Sequence, residues 1–170
     1  MKILITSILV VLTTTTLLAQ KNGAYSKEDK LLNIGIGVNS FYDGGIPLGA
    51  SYEKGITDDI SVGVNADYLS NDYLSFKFTA IYVGVRASYH FNNLLKIEKD
   101  NIDLYGGPTL GYRSFSWKDA AQNLGDNYGS GIYLGAYIGG KYYLNDKLGL
   151  FAELGSIGST NARIGLAFKF

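Results

Sequence analysis

The chain has 170 residues with 15 basic and 15 acidic side chains, so its formal charge is zero and nothing electrostatic recruits nucleic acid. Cysteine is absent, which excludes disulfide staples, a thiolate metal site and a Cys-borne lipid anchor, while glycine (22) and tyrosine (14) are abundant. An exported domain without disulfides has to be held by a large closed sheet or by its surroundings.

In chain order, residues 1–19 carry one early positive charge at Lys2, an apolar run over 3–12, four threonines, and then Leu17, Leu18 and Ala19 before Gln20. This is the layout of a cleavable secretory signal, and the apolar run is too short to span a membrane as a helix. Residues 20–30 are polar and charged and read as a flexible lead-in. About 150 residues remain, the size of a single domain, assigned to 31–170.

From residue 31 onward the apolar residues recur at period two. Leu32, Ile34, Ile36 and Val38 alternate with Asn33, Gly35, Gly37 and Asn39, a pattern a strand presents as one face and a helix cannot. Eight such stretches are expected, at 31–41, 46–54, 59–69, 79–91, 102–113, 130–144, 147–156 and 161–170. Turn residues separate most of them, including Asp43, Gly44 and Gly45, Asn92 and Asn93, and Asn145 and Asp146. The fold class is all-β, an eight-stranded antiparallel up-and-down barrel.

One face of each strand is apolar and carries no charge. The other holds Glu53, Asp67, Arg86, His90, Asp103, Arg113, Lys141, Glu153, Arg163 and Lys169 among small residues and glycines. Two barrels fit this alternation: apolar outward in lipid, or apolar inward around a greasy ligand, as in a soluble lipocalin-like carrier. Three features favour the first. The polar face has about one charge per strand, too few for a soluble exterior. The apolar face ends on aromatics (Tyr42, Tyr52, Tyr68, Tyr89, Phe91, Tyr112, Tyr142, Phe168 and Phe170), as membrane barrels do at the water boundary. Ten residues at about 3.3 Å each, tilted by about 40°, rise on the order of 25 Å, the height of an outer-membrane belt.

The last stretch, Arg163, Ile164, Gly165, Leu166, Ala167, Phe168, Lys169 and Phe170, resembles the C-terminal assembly signal of Gram-negative outer-membrane barrels, with Phe168 and Phe170 as its aromatic residues. The eight-strand pattern is similar to the small OmpA/OmpX/OmpW-like barrels and the PorT-like outer-membrane β-barrel family. The resemblance implies a transmembrane barrel in outer-membrane lipid, insertion by the barrel assembly machinery, termini in the periplasm and function in the loops, with no catalytic residues and no cofactor.

The expected lumen network is Glu53, Asp67, Asp103 and Glu153 against Arg86, Arg113, Lys141 and Arg163, since buried charges persist only when paired. A lumen filled in this way implies a structural or surface-interaction role; a narrow channel for ions or small solutes is the alternative. His90 with Ser88 on the same face is a conceivable base and nucleophile, but a satisfied interior histidine is the simpler expectation. One histidine and scattered carboxylates close no metal site. External loops are expected at 42–45, 70–78, 114–129 and 157–160. The third holds Trp117, Lys118, Asp119 and Asp126, making Trp117 the candidate contact for an extracellular ligand or protein. Residues 92–101, with Leu94, Leu95 and Ile97, are expected to lie along a membrane interface.

Overall fold

The computed structural model describes residues 23–42, 44–73, 76–118 and 129–170. The expected signal at 1–19, the start of the lead-in and residues 119–128 of the third loop lie outside them. Eight strands run β1 (Lys30–Ser40), β2 (Leu48–Gly55), β3 (Ile60–Tyr73), β4 (Phe76–His90), β5 (Ile102–Lys118), β6 (Gly131–Tyr143), β7 (Leu148–Ile157) and β8 (Thr160–Lys169), with a four-residue helix α1 (Asn92–Leu95) between β4 and β5. Each strand pairs antiparallel with its neighbours in sequence, and β1 pairs with β8, so the sheet closes.

Closure begins at the chain ends, where Lys30 and Phe170 exchange both backbone hydrogen bonds (3.1 and 2.9 Å). Leu31 then faces Lys169, and the register runs on to Ser40 opposite Thr160. A closed sheet leaves no unpaired edge, the condition for a strand structure in lipid. The end of the barrel where Lys30 and Phe170 lie is called the near end, and the opposite one the far end.

Alternation decides the two surfaces. Val38, Val64, Val83, Val85, Leu134 and Leu154 point outward and are more than half exposed, whereas Asn33, Ser61, Asp67, Arg86, Asp103 and Glu153 point inward and are 3% exposed or less. The interior from the near end to mid-height is therefore polar and ionic, and packed aromatic rings fill its far end, so the described residues do not form the greasy cavity that a lipocalin-like carrier requires. Lys54 is an exception to the charge-free outer face. It sits on the outward side at the near end, half exposed, and pairs with Glu28 at 2.7 Å.

Three strands are longer than expected. Residues 70–72 carry the Asn and Asp of a turn, yet Ser70 pairs with Thr79, Asn71 with Phe78, Asp72 with Lys77 and Tyr73 with Phe76. Likewise Ser114 through Lys118 continue β5 against β4, with Phe78 opposite Trp117. Of the expected loops at 70–78 and 114–129, residues 70–73, 76–78 and 114–118 are thus walls of the barrel at the far end. Ladder pairing with β4 overrides the local preference of Asn, Asp and Ser for turns.

Tyr42 also departs from expectation. The β1–β8 register shifts between Gly37 and Asn39 and again between Asn39 and Ser40, and such a bulge moves the following side chains to the opposite face. Phe41 is consequently half exposed and Tyr42 only 7% exposed, inside. The remaining expected aromatics stay outward: Tyr52, Tyr89, Tyr142 and Phe170 toward the near end, Tyr68 and Tyr112 toward the far end, all at least one-third exposed, with Phe91 and Phe168 half-buried.

Candidate functional site

The lumen is filled in layers. Midway, β4 presents Arg86 between two carboxylates: its Nε lies 3.1 Å from Glu53 Oε1 on β2 and its Nη2 2.7 Å from Glu153 Oε1 on β7. Tyr105 donates to the same Glu153 oxygen at 2.9 Å. Ser61 (2.9 Å) and Ser88 (2.5 Å) donate to the other oxygen of Glu53. The guanidinium also lies 3.9 Å from the centre of the Tyr137 ring. Two carboxylates share one guanidinium here, and the hydroxyls supply the rest of the hydrogen bonding that a buried carboxylate needs.

Toward the near end, Asp103 on β5 bridges Lys141 Nζ (3.0 Å) and His90 Nδ1 (2.7 Å). The Lys141 ammonium sits 3.9 Å above the Tyr105 ring. Toward the far end, Arg163 on β8 meets Asp67 on β3, whose other oxygen takes hydrogen bonds from the backbone N–H and hydroxyl of Ser159 in the β7–β8 turn. The Arg163 guanidinium occupies the place where a Cβ on Gly49 would stand. Glycine at 49 is therefore what lets the arginine cross the lumen.

Above these ion pairs the interior turns aromatic. Tyr42, Leu69, Phe78, Ala80 and Tyr82 form a buried cluster with Phe115, Trp117 and Tyr133 packed against it. The Tyr42 and Tyr82 hydroxyls are 2.5 Å apart, and Phe78 stacks on Phe115 with ring centres 5.0 Å apart. Trp117 lies against Phe78 and Phe115 at 5.5 and 5.8 Å. It is a strand residue directed into the barrel mouth, not a loop-tip contact.

Of the eight expected network charges, seven pair with an opposite charge: Glu53, Arg86 and Glu153; Asp103 and Lys141; Asp67 and Arg163. Arg113 does not. Its Nε donates to the carbonyl of Gly129 at 2.7 Å and its Nη1 approaches the Tyr42 hydroxyl at 3.4 Å. Height explains the difference, because Arg113 stands at the aromatic level, beyond the carboxylates. Ser88 is not bonded to His90 either; it joins Glu53 and Tyr137.

His90 instead has Ser61 Oγ at 3.0 Å from Nε2 and Asp103 at Nδ1. Hydroxyl, imidazole and carboxylate thus stand in the order of a hydrolytic relay. All three side chains are at most 1% exposed, the Ser61 hydroxyl is also within 2.9 Å of Glu53, and the Tyr25 ring lies flat on the imidazole with ring centres 3.4 Å apart and planes 4° apart. No face of the relay is open to a carbonyl substrate. Among the described residues no group of three or more His, Cys, Asp or Glu is placed to hold a metal ion.

Tyr25 belongs to the lead-in, which is not loose over the described residues. Residues 23–29 cross the near end. Glu28 N–H donates to the Gly55 carbonyl (3.1 Å) and Gly55 N–H to that of Asp29 (2.8 Å). Tyr25 Oη lies within 2.9 Å of the Thr57 carbonyl and 2.7 Å of that of Ile60. Lys169 Nζ donates to the Gly23 and Ala24 carbonyls, both at 3.2 Å. Burial, reinforced by the Asp29 carboxylate, pushes the Tyr25 hydroxyl well above the usual phenol range. Beside this strap, α1 exposes Leu94 and Leu95, and Asn92 ties its base to β5 through the Leu104 N–H (2.9 Å).

Solved structures with this architecture are small bacterial barrels. The N-terminal β-barrel domain of Pseudomonas aeruginosa OprF has a TM-score of 0.57 at 17% identity over 86% of this chain and 100% of that one. Neisserial surface protein A gives 0.56 at 19% over 84% and 96%. Ail of Yersinia pestis, determined in a phospholipid bilayer nanodisc, gives 0.54 at 12% over 85% and 100%. The fold is that of the small eight-stranded outer-membrane β-barrels. Neither a family model nor a curated protein matches the sequence.

Proposed function

We propose that this chain is an integral outer-membrane protein, exported by a cleaved signal at 1–19 and inserted by the barrel assembly machinery, with a structural or surface-interaction role and a lumen that does not conduct. The observation that carries the reading is the inversion of the usual protein surface: the exposed belt is apolar, and seven of the eight expected lumen charges lie inside, paired with an opposite charge. In water such a belt would be an aggregation surface; in hydrocarbon it is matched to its solvent. The terminal residues support assembly as expected, since Phe170 stands on the outer face at the near end. In this reading that end lies in the periplasm.

The same reading is non-catalytic, supported by the enclosure of His90 beneath Tyr25. A contact with an extracellular ligand or protein falls to the far-end hairpins, with Trp117 acting as packing beneath them. Envelope fractionation combined with gel mobility before and after boiling tests the assignment. The expected result is an outer-membrane fraction whose band shifts on heating. A folded, monomeric chain in plain buffer would overturn it.

A further inference from the structure

The strap at the near end is built as a part separate from the barrel it closes. Barrel closure starts at Lys30 and Leu31 through their pairing with β8, so residues 23–29 contribute nothing to the β1–β8 seam. Their contacts are nevertheless specific. Gly55 is the clearest: a Cβ there would stand 2.7 Å from the Ser26 carbonyl oxygen, 2.9 Å from the Tyr25 hydroxyl and 3.1 Å from the Glu28 nitrogen. Gly55 has an ordinary backbone conformation, absent from the positive-φ residues, so glycine is required there by the strap and not by β2. Glu28, at φ 73°, holds a left-handed conformation that a non-glycine residue keeps only when its surroundings fix it.

We propose that residues 23–29 are a stopper seated in a dedicated cradle, which seals the polar lumen at its near end and can leave without unfolding the barrel. Tyr25 is the cork. Its ring covers His90 and its hydroxyl is taken up by the backbone carbonyls of the β2–β3 turn, while the Lys169 ammonium clamps the chain just before it. Undocking uncovers His90 first, with Asp103 and Lys141 behind it. The Glu28–Lys54 ion pair is exposed on both sides and holds little. The docking geometry concerns the barrel end alone, while the gel-shift readout of the test below rests on the outer-membrane reading; a wild-type protein without the shift would count against that reading and not against the stopper.

The test uses the purified, folded chain in detergent. Lys27 is exposed on the strap, so trypsin cleavage after it reports undocking, and the single histidine of the chain allows His90 to be followed by acylation with diethylpyrocarbonate and mass measurement. Gly55→Ala and Tyr25→Ala should each speed cleavage after Lys27 by tenfold or more and make His90 modifiable, with the heat-dependent gel shift of the barrel retained. Wild-type cleavage as fast as in either variant would show that no stopper is docked. Loss of the gel shift in both variants would show that the strap is part of the barrel's own stability, and the proposal would be wrong.

Discussion

At single residues, the two faces of one strand obey different solvents. Ile36 points outward at mid-height on β1 and is 46% exposed, so Ile36→Arg places an ion in the belt and should cost about 2–4 kcal/mol in refolding titrations into lipid, a cost that vanishes if the belt faces water. Inside, the arithmetic reverses. Arg86→Leu leaves Glu53 and Glu153 buried without their shared cation and should cost about 3–5 kcal/mol. Asn33, 2% exposed on the inner face of the same β1, has no hydrogen-bond partner for either amide atom among the described residues. Asn33→Ala therefore removes a desolvated group that nothing repays, and should change unfolding free energy by less than about 1 kcal/mol. Equal losses for Arg86→Leu and Asn33→Ala would mean the ion pairs are not what holds the interior. Glycines of the inner face are no neutral control: a Cβ on Gly37 would meet Pro47 and the Thr160 hydroxyl at 2.8 Å.

At the scale of elements, the strap and the far-end walls carry what periodicity hid. A docked Tyr25 keeps its proton to higher pH than a free one, whose pKa is about 10. Because the docked value is raised, docking is at full strength below the free value and weakens as pH climbs through and above it. The Asp29 carboxylate and the Lys169 ammonium face the same strap. Comparison with Tyr25→Phe isolates the phenol: trypsin cleavage after Lys27 should accelerate more steeply above pH about 10 in the wild type than in the Phe variant. Parallel profiles would remove Tyr25 from the clamp. The strap itself was illegible in the sequence because residues 20–30 show no periodicity, and its order comes from backbone and side-chain groups of distant strands. The far-end extensions were legible in principle. Phe78 and Tyr82 share the inward parity of Arg86 on β4, and Phe115 and Trp117 that of Asp103 on β5, but large apolar residues on a polar face read as a break in the pattern. Which charges would lie inside was readable from alternation alone. Which cation meets which carboxylate was not, since the stagger of a closed sheet decides that, and it sent Arg113 to phenols and a backbone carbonyl.

At the scale of the whole molecule, three different barriers stand in series along one axis: the Tyr25 and His90 stack at the near end, the Arg86, Glu53 and Glu153 group midway, and the Tyr42, Phe78, Tyr82, Phe115 and Trp117 rings at the far end. An eight-stranded barrel has room inside for side chains and little else. Series barriers have a consequence that a single gate lacks: opening one leaves the path blocked by the other two. In planar bilayers the wild-type protein should show no steady openings, and Tyr25→Ala should stay silent although its near end is uncovered. Phe78→Ala should be equally silent, because the ion-paired layer remains below the shortened ring stack. Conductance should appear only when all three layers are removed together, as in Tyr25→Ala with Arg86→Leu and Phe78→Ala. Steady openings in the wild type would make the protein a narrow channel and the interior charges its selectivity lining. Openings in a single variant would instead identify that layer as the one real seal, and the outcome is read directly from which trace is no longer flat.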